Sequence, residues 1–222
     1  MKVPEVILHE ELRGKVKLAY FTLSGAECVK FNRKLWEEIE TLCEQRQLQF
    51  SKPGDALAYL KPARTLYYRI GMEPTRIRPS SEALFRRVIK GKGLYQINSL
   101  VDTGNYCSLF FWLPIGLYDL DKVQGKIEIR FGKAEEGYEG IGKERINLEN
   151  RLTLADEKGP FGNPSSDSRR TSIQLSTQNI LMVIFSPGDY EQEKLGDYLN
   201  TATEFFKKHH PTSQLTSKSF LY

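Results

Sequence analysis

Cysteine and histidine are scarce in this 222-residue chain, and what there is of them is scattered. Cys28, Cys43 and Cys107 are odd in number and show no metal-like spacing, which predicts reduced thiols in a cytoplasmic protein. His9, His209 and His210 sit at the two ends, so no zinc or other metal centre is expected, and nothing calls for a cofactor. Long apolar runs are also missing. The longest, Leu109 to Tyr118, is about half the ~20 residues of a membrane span and contains Pro114. The first, Val6 to Leu8, is too short for a signal peptide and is followed by Glu10 and Glu11, so neither a leader nor a membrane partner is expected.

Familiar catalytic motifs are absent too. There is no Gly-x-Ser-x-Gly elbow. Gly137 to Glu144 matches Gly-x4-Gly-Lys, but Glu144 stands where a phosphate loop needs Ser or Thr for magnesium, and its carboxylate repels phosphate. The surroundings suggest a hairpin instead.

What the chain does have is enough apolar sequence, 40% hydrophobic and 11% aromatic, for one moderate domain with a real core. Lys15 to Thr22 predicts a strand with Val16, Leu18 and Tyr20 on one face. Phe31 to Gln45 predicts an amphipathic helix, and Ser51 to Asp55 breaks the pattern before a helix reaching Tyr68. Further strands are expected within Gly125–Phe131, Ile146–Leu154 and Thr171–Phe185, then a helix over Tyr190–His210 and a loosely held tail from Pro211. These elements divide into an extension packed on the main domain (residues 1–70), the main domain (71–188), and a C-terminal helix and tail (189–222).

Two features stand out between Arg78 and Asp121. Ser80 and Ser81 are suited to cap a helix with Glu82 in its first turn and Arg86, Arg87 and Lys90 in its last, in agreement with the helix dipole. Asn98, Asp102 and Asn105 then recur at a spacing that puts them on one helical face. Short polar side chains are poor helix formers unless something fixes them, so this face is either a lined pocket or a buried structural network. Charge is also uneven. Nine bases face two acids between Lys61 and Lys92, whereas the rest of the chain has 23 bases and 26 acids. A basic segment on a mildly acidic body is the footprint of phosphate contacts, or simply a solvated face. Tyr67, Tyr68 and Tyr95 flank it as candidates for stacking on unpaired bases.

Arg78-Pro79-Ser80, Ile97-Asn98, Val101-Asp102, Asn105-Tyr106, Pro114 and Asp119-Leu120-Asp121 together resemble the B-three/B-four editing domain of the phenylalanyl-tRNA synthetase beta subunit. The similarity continues through Gly125-Lys126-Ile127, Arg130, Ala155-Asp156 and Thr177, covering roughly residues 71 to 186. It implies an α+β, three-layer domain with a β-sandwich-like core. It also implies a free-standing relative that binds aminoacyl-tRNA and hydrolyses the ester of a mischarged amino acid. Asn105 falls on the family's pocket asparagine, and Gly104 replaces a threonine. Gly116 stands at the position of a histidine, and the family's Gly-Gly-Glu glutamate is replaced at about Arg169.

On this reading Asn105 and Asp102 are the catalytic candidates. Asn98, Gly104, Gly116, Asp167, Ser168 and Arg170 are the substrate-binding candidates, with the two glycines leaving space for an amino acid other than tyrosine. Arg78, Arg86, Arg87, Lys90 and Lys92 are the candidates for tRNA contact. Two rival expectations are a non-catalytic RNA binder and a domain that holds a free amino-acid-like molecule.

Overall fold

A computed structural model describes residues 3–142 and 144–222. Lys143, the lysine of the rejected phosphate-loop match, lies outside the described residues. The fold is α+β in three layers: helices, a first sheet, and a second sheet.

The first sheet has the order β10-β2-β9-β3, formed by Gln214–Leu221, Val16–Ser24, Ile180–Pro187 and Ile115–Asp119. Strand β2 is antiparallel to both β10 and β9, with Leu18 opposite Phe185 and Tyr20 opposite Val183. Its alternation explains the layering. Ala19, Phe21 and Leu23 face the helices α1 (Arg33–Gln49), α3 (Ser80–Val88), α4 (Ser99–Phe111) and α5 (Gln192–His209). Val16, Leu18 and Tyr20 face the other way, into the second apolar layer. Buried on both faces, β2 can take no charge except at its ends.

The second sheet has the order β1-β4-β7-β8, formed by Val6–Leu8, Ile127–Phe131, Leu152–Asp156 and Gly159–Gly162. Ile127, Ile129, Leu152, Leu154 and Phe161 pack against the first sheet, with Leu66 and Tyr67 of α2 (Leu57–Arg69) closing the layer. A two-stranded antiparallel hairpin, β5 (Gly137–Glu139) with β6 (Arg145–Asn147), stands beside them, in line with the hairpin expected around the rejected phosphate-loop match.

Several expectations need correcting. Residues 214–221 are not a tail: they pair with β2 over seven positions. Of the long strand expected from Thr171, only Ile180 onward is a strand, and residues 171–179 are irregular with turns at Thr171 and at Leu175-Ser176. Neither Ser80 nor Ser81 caps α3. Pro79 holds the cap position without a side-chain bond, and Ser81 Oγ donates to the Trp112 carbonyl at 3.2 Å.

Candidate functional site

Helix α4 runs between α1, α3 and α5 on one side and β3 on the other, and its polar residues separate accordingly. Asn98 is the residue before the helix, not part of its face. Its Oδ1 accepts from Val101 N at 3.0 Å and satisfies one of the first-turn donors. Asp102 is fully buried and turned toward α1: Oδ2 accepts from Trp36 Nε1 at 2.9 Å and Oδ1 from Ile97 N at 2.9 Å. Burial pushes its carboxyl pKa up, against these bonds. Both carboxylate oxygens are thus engaged within the fold, and Asp102, expected as a catalytic residue, does not line the cavity that Asn105 lines.

Asn105, one turn further along, faces a different space. With Asn98, Gly104 and Ser108 it lines a cavity of about 400 Å³ between α3, α4, β3 and the segment 167–175. Leu84, Val101, Ile115, Leu117 and Ile173 supply the apolar wall. Ile97, Ile141 and Leu175, all exposed, also line it. Asn105 makes no side-chain hydrogen bond among the described residues. Gly104 leaves room on this wall: a Cβ there meets only Leu117 Cδ2, at 3.5 Å.

Asp167 joins the same cavity from the loop after β8. That loop is tightly held. Asn163 Oδ1 accepts from Ser165 N and Ser166 N, and the Tyr67 hydroxyl donates to the Pro164 carbonyl at 2.9 Å. The Tyr138 hydroxyl donates to the Ser166 carbonyl. Asp167 Oδ1 is buried with no hydrogen-bond partner among the described residues, and desolvation, opposed by the nearby Tyr118 hydroxyl, pushes the carboxyl pKa up to about 7. A carboxylic acid tuned to neutrality in a cleft marks a site suited to proton transfer.

The remaining candidates lie elsewhere. Ser168 is buried and caps Arg170 N, and Arg170 makes a two-pronged pair with Asp156 at 2.8 and 2.9 Å. Both are engaged within the fold, and neither lines the cavity. Arg169 is exposed and pairs loosely with Glu139 at 3.8 Å, away from the cavity. Gly116 does not open a pocket. A Cβ there would fall 2.2 Å from the Tyr118 hydroxyl, so the space expected at this position is filled by Tyr118.

The basic segment is also partly spent. Glu82 is 1% exposed, and its carboxylate receives Arg64 at 2.7 Å and Arg86 at 2.7 Å, with Arg78 at 3.9 Å. Burial pushes the Glu82 pKa up, but the two guanidinium groups outweigh it and hold the pKa below the usual value. Arg86 therefore balances a buried charge. Arg87 stacks on Tyr95, its Cζ 3.7 Å from the ring centroid. Tyr67 is fully buried and unable to stack on a base, whereas Tyr68 and Tyr95 are exposed. Arg78, Lys90 and Lys92 are exposed as well. Among the described residues, no group of three His, Cys, Asp or Glu is placed to hold a metal ion, and no helix is long and apolar enough to cross a membrane.

Comparison with known proteins places this architecture. The phenylalanine–tRNA ligase beta subunit of Neisseria meningitidis serogroup B is 29% identical over 113 residues, covering 50% of this chain and 14% of that subunit. The uncharacterized protein YhzB of Bacillus subtilis is 27% identical over 113 residues, 51% of this chain and 48% of that one. The chain thus spans about half or less of the length of these relatives. An N-terminal fragment of the phenylalanyl-tRNA synthetase beta subunit from Pyrococcus horikoshii superimposes over 100% of this chain and 56% of its own, with a TM-score of 0.50 and 14% identity. The profile of the B3/4 domain matches residues 62–209, most of the sequence and every residue that lines the cavity except Lys30, and the chain belongs to the B3/4 domain family.

Proposed function

We propose that this protein binds the 3′ end of an aminoacyl-tRNA and hydrolyses the ester of a wrongly attached amino acid, acting in trans. The observation that carries this reading is the meeting of Asn105 and Asp167 in one cavity with apolar walls. The aminoacyl ester is intrinsically labile, so a protein accelerates its hydrolysis chiefly by fixing water and carbonyl in a reactive geometry. Asn105, with no side-chain hydrogen bond among the described residues, is suited to orient a water or the terminal ribose. The apolar wall takes the amino-acid side chain, and Gly104 enlarges it. Arg78, Lys90 and Lys92 are the exposed cations suited to tRNA phosphates.

Deacylation of a panel of mischarged tRNAs tests the reading. Turnover of at least one, well above the spontaneous rate, is expected; no turnover on any of them defeats it. A non-catalytic RNA binder is the second reading, favoured by the Tyr118 ring that fills the space at Gly116. It predicts tRNA affinity without turnover. Both readings predict that replacing Arg78, Lys90 and Lys92 by Ala weakens binding of every tRNA. Each lost phosphate contact should flatten the log K against log salt slope by roughly 0.7–0.9. An unchanged slope moves the tRNA surface away from this segment.

A further inference from the structure

Ser80 and Asp167 both line the cavity, and each has a side-chain oxygen, Ser80 Oγ and Asp167 Oδ1, that is buried with no hydrogen-bond partner among the described residues. Buried polar groups in folded proteins almost always find a partner, so two such residues on one cavity call for an explanation. Of the two, only Asp167 exchanges protons in the neutral range. Its position is fixed from several sides: its carbonyl accepts from Ile141 N at 3.3 Å, and Ser168 N donates to the Phe161 carbonyl at 3.1 Å.

Tyr118 completes the arrangement. Its ring lies between Gly116 and Gly162, where a Cβ on either glycine would come within 2.2 Å or 2.4 Å of it. Glycine at both positions is what admits the ring. The buried hydroxyl then reaches Asp167 closely enough to oppose the rise in its pKa, yet stops short of a complete hydrogen bond. Gly116 supplies no side chain for chemistry, and it admits the tyrosine that addresses the carboxylate.

We propose that Asp167, aligned by Tyr118, is the proton acceptor in ester hydrolysis, an assignment that rests on the hydrolytic reading above. A water gives a proton to Asp167 Oδ1 as its oxygen adds to the ester carbonyl carbon. The tetrahedral intermediate collapses by breaking the carbon–oxygen bond to the terminal ribose, and Asp167 returns the proton to the departing ribose oxygen. Free amino acid and a tRNA with its hydroxyl restored are the products, and Asp167 is again ionised.

The surroundings make this titration readable. Tyr67 from α2, Tyr118 from β3 and Tyr138 from β5 all lie near enough to feel the charge of Asp167, and burial raises the pKa of all three, so they stay neutral while it titrates. Lys30 also lines the cavity, but its Nζ is engaged with the Ile97 carbonyl at 3.1 Å. No basic side chain pairs with Asp167 among the described residues.

The test is single-turnover deacylation between about pH 5.5 and 8.5, corrected for spontaneous hydrolysis, with a substrate from the tRNA panel. The wild-type rate should climb with pH and level off near pH 7. Asp167→Asn should lose about 10²–10⁴ in rate together with the bend. Tyr118→Phe, which removes the opposing hydroxyl, should move the bend upward. Stability supplies a readout that does not depend on turnover. A folded pKa above the unfolded one favours the fold below the unfolded value, and that advantage is lost as pH rises through about 7. The wild-type melting temperature should fall across that interval, and Asp167→Asn should remove the fall. Wild-type turnover with an unaltered rate and bend in Asp167→Asn overturns this assignment and leaves the hydrolytic reading intact. Absence of wild-type turnover overturns both.

Discussion

Asn105→Ala is expected to slow deacylation by about 10²–10³ while leaving tRNA affinity and melting temperature nearly unchanged. The magnitude is that of removing one positioned polar partner from a reacting centre. The constancy of stability follows from the structure: Asn105 is half-buried on the cavity wall and holds no backbone group, so truncation leaves nothing unpaired. If the side chain served the fold, the same substitution would lower stability by ~1–3 kcal/mol, with activity surviving at low temperature. Melting temperature and single-turnover rate measured on one preparation separate the two outcomes.

Asp102→Ala should do the opposite. It strands the Trp36 indole N–H and the Ile97 amide, both now satisfied by the carboxylate at 2.9 Å. At ~1–3 kcal/mol for each unmet buried donor, the loss is about 2–6 kcal/mol. At about 2–4 °C per kcal/mol for a domain of this size, that lowers the melting temperature by roughly 4–24 °C. The folded fraction should keep its deacylation rate, since Asp102 does not line the cavity. A stable Asp102→Ala protein that has lost activity would return this residue to the chemistry.

Three residues apart on one helix, these side chains looked equivalent in the sequence. Helical periodicity placed Asn98, Asp102 and Asn105 together, but it cannot say which neighbour a face meets. Trp36, which claims Asp102, lies 66 residues away. The layers were legible for a clearer reason. Alternation in β2 and the apolar stripe of α5 each demand burial, and both are buried as the pattern requires. Strand β10 was missed because it is an edge strand, mostly exposed or half-exposed, with no apolar face strong enough to signal it.

The motif residues that carried the resemblance mostly hold the fold. Thr177 Oγ1 donates to Asp119 Oδ2 at 2.8 Å, Asn179 donates to Asp121, and Arg130 grips Glu136 with two bonds. Such bonds explain why the resemblance reports architecture better than chemistry. Asp167 was a candidate through the resemblance alone, and nothing in the sequence set it apart from Ser168 and Arg170. It sits in a turn-rich loop, and its significance depends on three tyrosines from three distant elements.

The claim on which the account rests is that the cavity beside α4 receives the aminoacylated end of the substrate. The most direct measurement is amide NMR of isotope-labelled protein titrated with an adenosine bearing an amino acid through a non-hydrolysable 3′-amide. The account predicts saturable shifts centred on Gly104, Asn105 and Asp167, with Ile141 and Leu175 following. Shifts confined to the separate hollow around Lys126 and Glu157, with the cavity amides unmoved, would contradict it.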